Sequence, residues 1–215
     1  MRKPTKKQGP LYRKDPVLTM SDSPHSPHMI IPDLIPAKSF VLDVGCNAGY
    51  LAKTLLKKKC ITDGIDINET ALLQAKLYCR SVYRRDLYQP SLDIPSRTYD
   101  YIVFSDILEH LPRPDQILVS VKHYLKPGGY VIASIPNIAR IELRIRHLWG
   151  DFTYAPGIMS PDHLRFFTRD SAIKLFQHAG YTVKRIIPTG LGHMIGILPT
   201  LTAFQFVIVA KIHIE

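Results

Sequence analysis

The chain has 215 residues, 46% of them hydrophobic, and a formal net charge of +10 at pH 7. That length and apolar share suit one domain with a sizeable core. Its three cysteines, Cys46, Cys60 and Cys79, are odd in number and lack CxxC spacing, which argues against a disulfide framework or a structural zinc site.

Residues 1–20 are charged and proline-broken and read as a flexible basic tail ahead of a single domain over 21–215. Six cations and no acid fall within residues 1–14. A solvated tail and a phosphate-seeking tail both fit. The run has no apolar signal-peptide core. The late apolar stretch 195–212 is interrupted by Pro199, Thr200, Thr202 and Gln205, so it reads as buried strand. The expectation is a cytoplasmic protein with no membrane span.

Pro24, Pro27, Pro32 and Pro36 limit any helix in 21–38 to a short lead-in. From residue 39 the chain alternates. Residues 39–44 read as a strand, and 50–59 as a helix with Leu51, Leu55 and Leu56 on one face. A strand at 60–67, a helix at 69–80 and a short strand at 81–84 follow. Residues 99–104 form a strand rich in β-branched and aromatic residues. The helix over 115–125 is stopped by Lys126-Pro127-Gly128-Gly129. A buried strand covers 130–135. Residues 136–169 break the rhythm and read as an insertion. Residues 170–179 form a helix closed by Gly180. Two strands at 181–188 and 203–212 end the chain, with no helix-length pattern between them. This order predicts a parallel sheet with helices on both faces and an antiparallel pair at one edge.

The first strand runs into Gly45-Cys46-Asn47-Ala48-Gly49 and then a helix, the arrangement by which α/β proteins hold nucleotide-like ligands. A dinucleotide fingerprint wants G-x-G-x-x-G. Here Asn47 and Tyr50 stand at the second and third glycine positions, which counts against an NAD-dependent dehydrogenase. Asn47 remains workable because asparagine tolerates the left-handed region. Acids cluster at the predicted strand ends: Asp43, Asp66, Asp86 and Asp106. Such a ring repels phosphates. It suits a ligand with ribose hydroxyls, a purine amino group and positive charge.

These residues resemble the class I S-adenosylmethionine-dependent methyltransferases. The likeness spans about residues 39–212: VLDVGCNAG, GIDIN, RRDL, YDYIVFSDILEHL and LKPGGYVIASIPN, five motifs in order. It implies a Rossmann-like seven-stranded sheet of order 3-2-1-4-5-7-6 with strand 7 antiparallel. It implies S-adenosyl-L-methionine as cofactor and S-adenosyl-L-homocysteine as product. Gly45, Asn47 and Gly49 would then form the ligand loop, with both glycines letting the backbone approach. Asp66 and Ile67 would hold the ribose side, Asp86 and Leu87 the adenine. Asp43 and Ser105 would lie near the methionine end. The plainer reading of Asp43 and Asp66 is helix capping, and of Asp86 an ion pair with Arg84 or Arg85.

SIPNIARIELR, WGDFTYAPGIMSPDHLRFFT and TAFQFVIVAK resemble a bacterial subgroup near the ubiquinone and methionine-biosynthesis methyltransferases. In that branch Asp-Arg-Thr precedes His-Leu-Arg-Phe-Phe, and this chain has Ser160-Pro161-Asp162 instead. Residues 136–169 are the natural acceptor wall. They hold Arg140, Arg144, Arg146, Arg165 and Arg169 against Glu142, Asp151 and Asp162, for a net +2, with Trp149, Phe152, Tyr154, Phe166 and Phe167 as flat surface. Arg140, Arg144, Trp149 and Arg165 are the candidate acceptor contacts, suited to an anionic ring such as a sugar bearing phosphate or carboxylate. Equally, the arginine stripe fits a solvated helix face and Phe166 and Phe167 fit the core.

A hydroxyl acceptor must lose a proton, and a histidine is the usual base. His110 and His163 are the candidates. Asp106, Glu109 and His110 also resemble the acid-x-x-Glu-His pattern of ubiquinone-type O-methyltransferases, where a divalent metal has been proposed. Two carboxylates after a strand have simpler uses, so a metal is not favoured. The expected function is O-methylation of a small molecule, such as a sugar or a lipid-linked or cell-surface glycan intermediate. An RNA or protein methyltransferase, or a non-catalytic S-adenosylmethionine-binding protein, are the alternatives. The pI near 9.5 suggests the RNA form. Against it, the place after the fourth strand reads Ser105-Asp106-Ile107-Leu108 rather than Asn-Pro-Pro-Tyr, and no nucleic-acid module is visible.

Overall fold

The computed structural model describes residues 23–213 apart from 90, 97 and 197. The tail expected over 1–20 lies outside the described residues. Seven strands form one sheet: β1 (Phe40–Val44), β2 (Ile61–Asp66), β3 (Ser81–Arg84), β4 (Tyr99–Ser105), β5 (Leu125–Pro136), β6 (Tyr181–Pro188) and β7 (Gln205–Ile212). Their order is β3-β2-β1-β4-β5-β7-β6, with β7 antiparallel to both neighbours and the other pairings parallel, as expected.

The helices are α1 (Pro27–Leu34), α2 (Tyr50–Leu56), α3 (Glu69–Ala75), α4 (Pro114–Ser120), α5 (Ile141–Leu148), α6 (Arg169–His178), α7 (Leu191–Ile195) and α8 (Pro199–Thr202). Successive strand side chains point to opposite faces. In β1, Leu42 and Val44 join the core packed with Ile117, Leu118, Ala172 and Phe176 of α4 and α6. Val41 joins the core packed with Ile30, Ile31 and Leu55 of α1 and α2. Each face of the sheet therefore has its own apolar layer, and the loops at the carboxyl ends of β1, β2 and β4 lie between them.

The elements differ from expectation mainly in length. The helices expected over 50–59, 69–80 and 115–125 are shorter: α2 stops at Leu56, α3 at Ala75 and α4 at Ser120. Leu55 is buried, but Leu56, Leu73 and Leu77 are exposed. An apolar residue one step off the stripe faces water at little cost. After α4 a single 3₁₀ turn, Val121–Tyr124, leads straight into β5.

The Pro-Gly-Gly stop lies inside β5. Tyr99 pairs with Leu125 and Tyr101 with Tyr130, so residues 126–129 form an irregular bulge with Gly128 at φ +79°. Residues 136–169 do contain a helix, α5, and two short helices, α7 and α8, stand between β6 and β7 where none was expected. Elements of five and four residues are too short to display a 3.6-residue period.

Candidate active site

The glycine loop follows β1. Gly45 and Gly49 have φ of +81° and +79°, and Asn47 between them sits at +47°. That is the left-handed conformation asparagine tolerates. Backbone N–H groups of Gly45 and Cys46 both donate to the Ile65 carbonyl, at 2.8 and 2.9 Å. A Cβ at Gly45 would lie 2.1 Å from Ile107 Cδ1, and one at Gly49 would lie 2.9 Å from Ala75 Cα. The positive φ favours glycine at both positions, and at Gly49 close packing against the Ala75 backbone requires it as well.

Asp66 binds this loop to β2. Its Oδ2 accepts from Asn47 N and its Oδ1 from Asn68 N, both at 2.8 Å. Capping of α3 falls to Asn68, whose side chain accepts from Ala71 N at 3.2 Å. Asp43 is buried beside Asp66. Burial, and then the Asp66 charge, pushes its carboxyl up to about 7. Gly49 is the N-cap residue of α2. Capping is therefore not the use of either acid.

Asp86 is exposed on the turn after β3 and accepts from Tyr88 N at 2.9 Å. The arginines beside it are engaged elsewhere, Arg84 with Glu69 and Arg85 with the carbonyls of Leu92 and Asp93. Ile67 and Leu87 flank these acids at the ends of β2 and β3, and both are partly exposed. Ser105, at the end of β4, lines a cavity of about 20 Å³ with Pro27, His28, Ile31, Leu51 and Thr54. That is room for a single water. It also places α1, read as a mere lead-in, against the strand ends.

Beyond β4 the chain folds sharply. Asp106 has φ +54°, and its Oδ1 accepts from Ser134 Oγ at 2.7 Å and Gln205 Nε2 at 2.6 Å. This turns Asp106 toward β5 and β7. Glu109 and His110 lie on the next turn, Leu108–His110. The Glu109 carbonyl accepts from Leu164 N and Arg165 N, at 2.8 and 2.9 Å, so the 136–169 segment is fastened here. Through that contact His163 meets His110, ring centroids 4.8 Å apart and edge to face.

One ligand atom each from Glu109, His110 and His163 lie within 4.8 Å of one another. The Nδ1 atoms of His110 and His163 approach the carbonyls of Asp162 and Ile158, at 3.1 and 3.0 Å. A carbonyl only accepts, so each neutral ring carries its proton on Nδ1 and has a lone pair on Nε2. Burial, aided by the nearby His110, lowers the pKa of His163. Burial and the charge of Asp106 hold the Glu109 carboxyl well above its usual range. Neither Glu109 oxygen has a hydrogen-bond partner. A buried orphaned carboxyl costs about 1–3 kcal/mol, so it marks a place where a ligand would help.

The acceptor candidates divide. Arg165 is exposed, its backbone fastened to the Glu109 carbonyl and its guanidinium donating to the Pro112 carbonyl at 2.5 Å. Arg140 pairs with Glu142 at 2.6 Å and lies over the Phe204 ring. Arg144 is exposed on α5, and Trp149 is 83% exposed. Phe167 belongs to the core and Phe166 is exposed. The sequence reading missed Ser134, Asn137, Asp162 and Gln205 as supports. Asn137 is fully buried and its amide bonds the Thr200 and Ala203 carbonyls and Ala139 N. A lone polar residue within the apolar run 203–210 was the available signal for Gln205.

The sheet order, the glycine loop and the acids at three strand ends define a class I S-adenosylmethionine-dependent methyltransferase fold. Residues 25–186 match the model of a methyltransferase domain family, and the chain belongs to that family. Its methyl donor is S-adenosylmethionine. Among curated proteins, the ubiquinone biosynthesis O-methyltransferase of Vibrio cholerae is 30% identical over 102 residues, 45% of this chain and 42% of that protein. The same enzyme of Alkalilimnicola ehrlichii is 31% identical, over 45% of this chain and 41% of its own length. The chain thus spans less than half of these relatives.

Among solved structures, an S-adenosylmethionine-dependent methyltransferase of Methanosarcina mazei aligns with a TM-score of 0.63 at 21% identity. It covers 86% of this chain and 98% of that one. One from Archaeoglobus fulgidus gives 0.62 at 19%, covering 85% and 89%. These two likenesses concern the fold.

Proposed function

We propose that this methyltransferase transfers the methyl group to a hydroxyl of a small, anionic or lipid-linked acceptor, such as a sugar derivative. The observation that carries this is the His110–His163 pair beside the loop that follows β4. Bound S-adenosylmethionine supplies an activated methyl group whose sulfur leaves as a neutral thioether. Gly45, Asn47 and Gly49 shape its loop, Asp66 and Ile67 hold the ribose side, and Asp86 and Leu87 border the adenine. Asp43 and Ser105 face the methionine end. The acids fit such a ligand, because a cation beside Asp43 would offset the burial, and the Asp66 charge, that raise its pKa.

His163 acts as base. Its Nε2 lone pair takes the acceptor's proton while the oxygen forms the new C–O bond and the C–S electron pair returns to sulfur. The lowered pKa keeps the ring neutral and ready at pH 7. Arg165, on the same segment, binds an acceptor anion. Alignment of the two reactants supplies the larger share of the rate, about 7–11 kcal/mol in favourable cases.

The unpartnered Glu109 supports a second reading of the same cluster, in which Glu109, His110 and His163 hold a divalent cation. That cation would lower the pKa of the acceptor hydroxyl. Thermal unfolding with S-adenosylmethionine, S-adenosylhomocysteine and NAD tests the donor, and a hydroxylated acceptor panel with labelled donor tests the chemistry. Incorporation into oxygen, lost in His163→Ala with donor binding intact, is expected. Methyl transfer only to RNA or protein would overturn the reading. Paramagnetic line broadening by Mn²⁺ that Glu109→Gln abolishes would establish the cation reading.

A further inference from the structure

The sheet ends at β6. It pairs with β7 on one side and with no strand on the other among the described residues. A sheet edge presents backbone N–H and C=O groups ready to pair with another extended chain. Helix α6 packs beside this edge, joined to β6 by the turn at Gly180.

Between helix and strand lies a cavity of about 610 Å³. Arg169, Ile173 and Gln177 line it from α6 at four-residue intervals, hence from one face of the helix. Val183 and Ile186 of β6 give it an apolar floor. Thr182 and His213 stand at the Gly180 end, bonded to each other at 2.9 Å. From Arg169 to Gln177 the helix runs about 12 Å, the length of about four residues of extended chain. A groove between an edge strand and a helix suits strand addition. Main-chain bonds then supply affinity, and alternate side chains enter the groove.

The charges indicate what kind of chain. Residues 169–188 carry Arg169, Lys174, Lys184 and Arg185 against Asp170 alone. Asp170 engages Arg169 at 3.2 Å. Lys174, Lys184 and Arg185 have no carboxylate partner among the described residues. Lys184 and Arg185 are exposed, at a bulge in the strand. Lys122 stands over the Tyr181 ring at 5.4 Å.

Two occupants from this chain match poorly. A second copy pairing β6 with β6 would bring Lys184 and Arg185 of both chains together, and like charges across a strand pair repel. Residues 1–14 carry six cations and no acid. Cations and a bulge that keep copies apart leave the edge open to a chain of opposite sign.

We propose that the α6–β6 groove docks an acidic, extended segment of a partner protein, added to the sheet as a further strand beside β6. Strands β7, β5 and β4 separate this edge from β1 and the donor loop. Docking here recruits the enzyme to its partner and leaves the donor site open.

The probe is a fluorescein-labelled peptide of alternating valine and aspartate, followed by fluorescence anisotropy. Saturable binding that weakens as salt rises is expected. One control peptide has lysine in place of aspartate. A second keeps the charge but has proline in place of valine, and proline cannot donate to a strand ladder. Both should bind about tenfold more weakly, or less. Lys184→Glu/Arg185→Glu should weaken the acidic peptide by about tenfold or more. Ile173→Glu, which puts a like charge on the groove wall without touching the strand, should do the same. An unchanged thermal shift with S-adenosylmethionine shows that the variants keep the fold.

Equal binding of the proline peptide, or binding unchanged in both variants, overturns the proposal and assigns the peptide to the basic N-terminal residues. No saturable binding of the valine–aspartate peptide at low salt overturns it outright. Self-association of the free protein that Lys184→Glu/Arg185→Glu abolishes also overturns it and assigns the edge to a second copy of this chain. None of these outcomes depends on methyl transfer, so failure here leaves the O-methyltransferase reading standing.

Discussion

Asp66 has an observed structural duty, and the proposed ribose role would give it a second that substitution should expose. Its carboxylate accepts Asn47 N and Asn68 N, which fastens the glycine loop to the end of β2. Asp66→Asn should weaken S-adenosylmethionine binding by about 1–3 kcal/mol, roughly 5- to 150-fold, read by calorimetry. Unchanged affinity would remove Asp66 from the ribose role. Asp43 gives a pH signature. Its folded pKa of about 7 lies above the ordinary 3.8, so the folded state holds a proton that the unfolded state has lost between these values. Stability from this group is therefore full below about pH 4 and falls as pH rises to 7. Asp43→Asn should raise Tm at pH 8, by about 2–4 °C per kcal/mol of relieved burial, less at pH 5 and little below about pH 4. In the native protein, affinity for the cationic donor should rise with pH up to about 7 and then level. A flat profile would place the donor's charge away from Asp43.

At the scale of elements, the β1–α2 turn depends on its glycines for packing as well as for backbone conformation. Gly45→Ala adds a Cβ 2.1 Å from Ile107 Cδ1 at φ +81°. It should cost about 1–3 kcal/mol of stability, measured by denaturant unfolding. Ile107→Ala in the same chain should recover the steric part only, because the backbone strain remains. Asn137 joins the end of β5 to α8 and the start of β7. Asn137→Ala leaves buried carbonyls and an N–H without partners and should lower stability by about 1–3 kcal/mol. A loss below 0.5 kcal/mol would mean that water replaces the amide.

Across the whole molecule, two apolar layers cover one sheet, and Trp149 belongs to neither. Native emission should already be that of a water-exposed indole. Chemical unfolding should then be nearly silent by fluorescence and plain by circular dichroism. A large red shift on unfolding would show that Trp149 is covered in solution. No helix among the described residues is long and apolar enough to cross a membrane. Saturating donor at about one hundred times its Kd should add about 2.7 kcal/mol, or roughly 5–10 °C.

Strand identity, the parallel sheet and its antiparallel edge were legible in the sequence because alternation and β-branched runs are local signals, whereas the order of the strands followed from the resemblance to the methyltransferases. The donor loop was legible for a similar reason: Gly45, Asn47 and Gly49 lie within five residues of one another. The cluster of Glu109, His110 and His163 was not, because 53 residues separate its histidines and only the bonds from Leu164 N and Arg165 N to the Glu109 carbonyl bring them together. Gln205 lies far in sequence from Asp106 and Ser134 and meets them only where the ends of β4 and β5 lie beside the start of β7. The exposure of α5 is likewise a tertiary fact. Its apolar period looks the same on paper whether the face is buried or bare, and packing alone determines which.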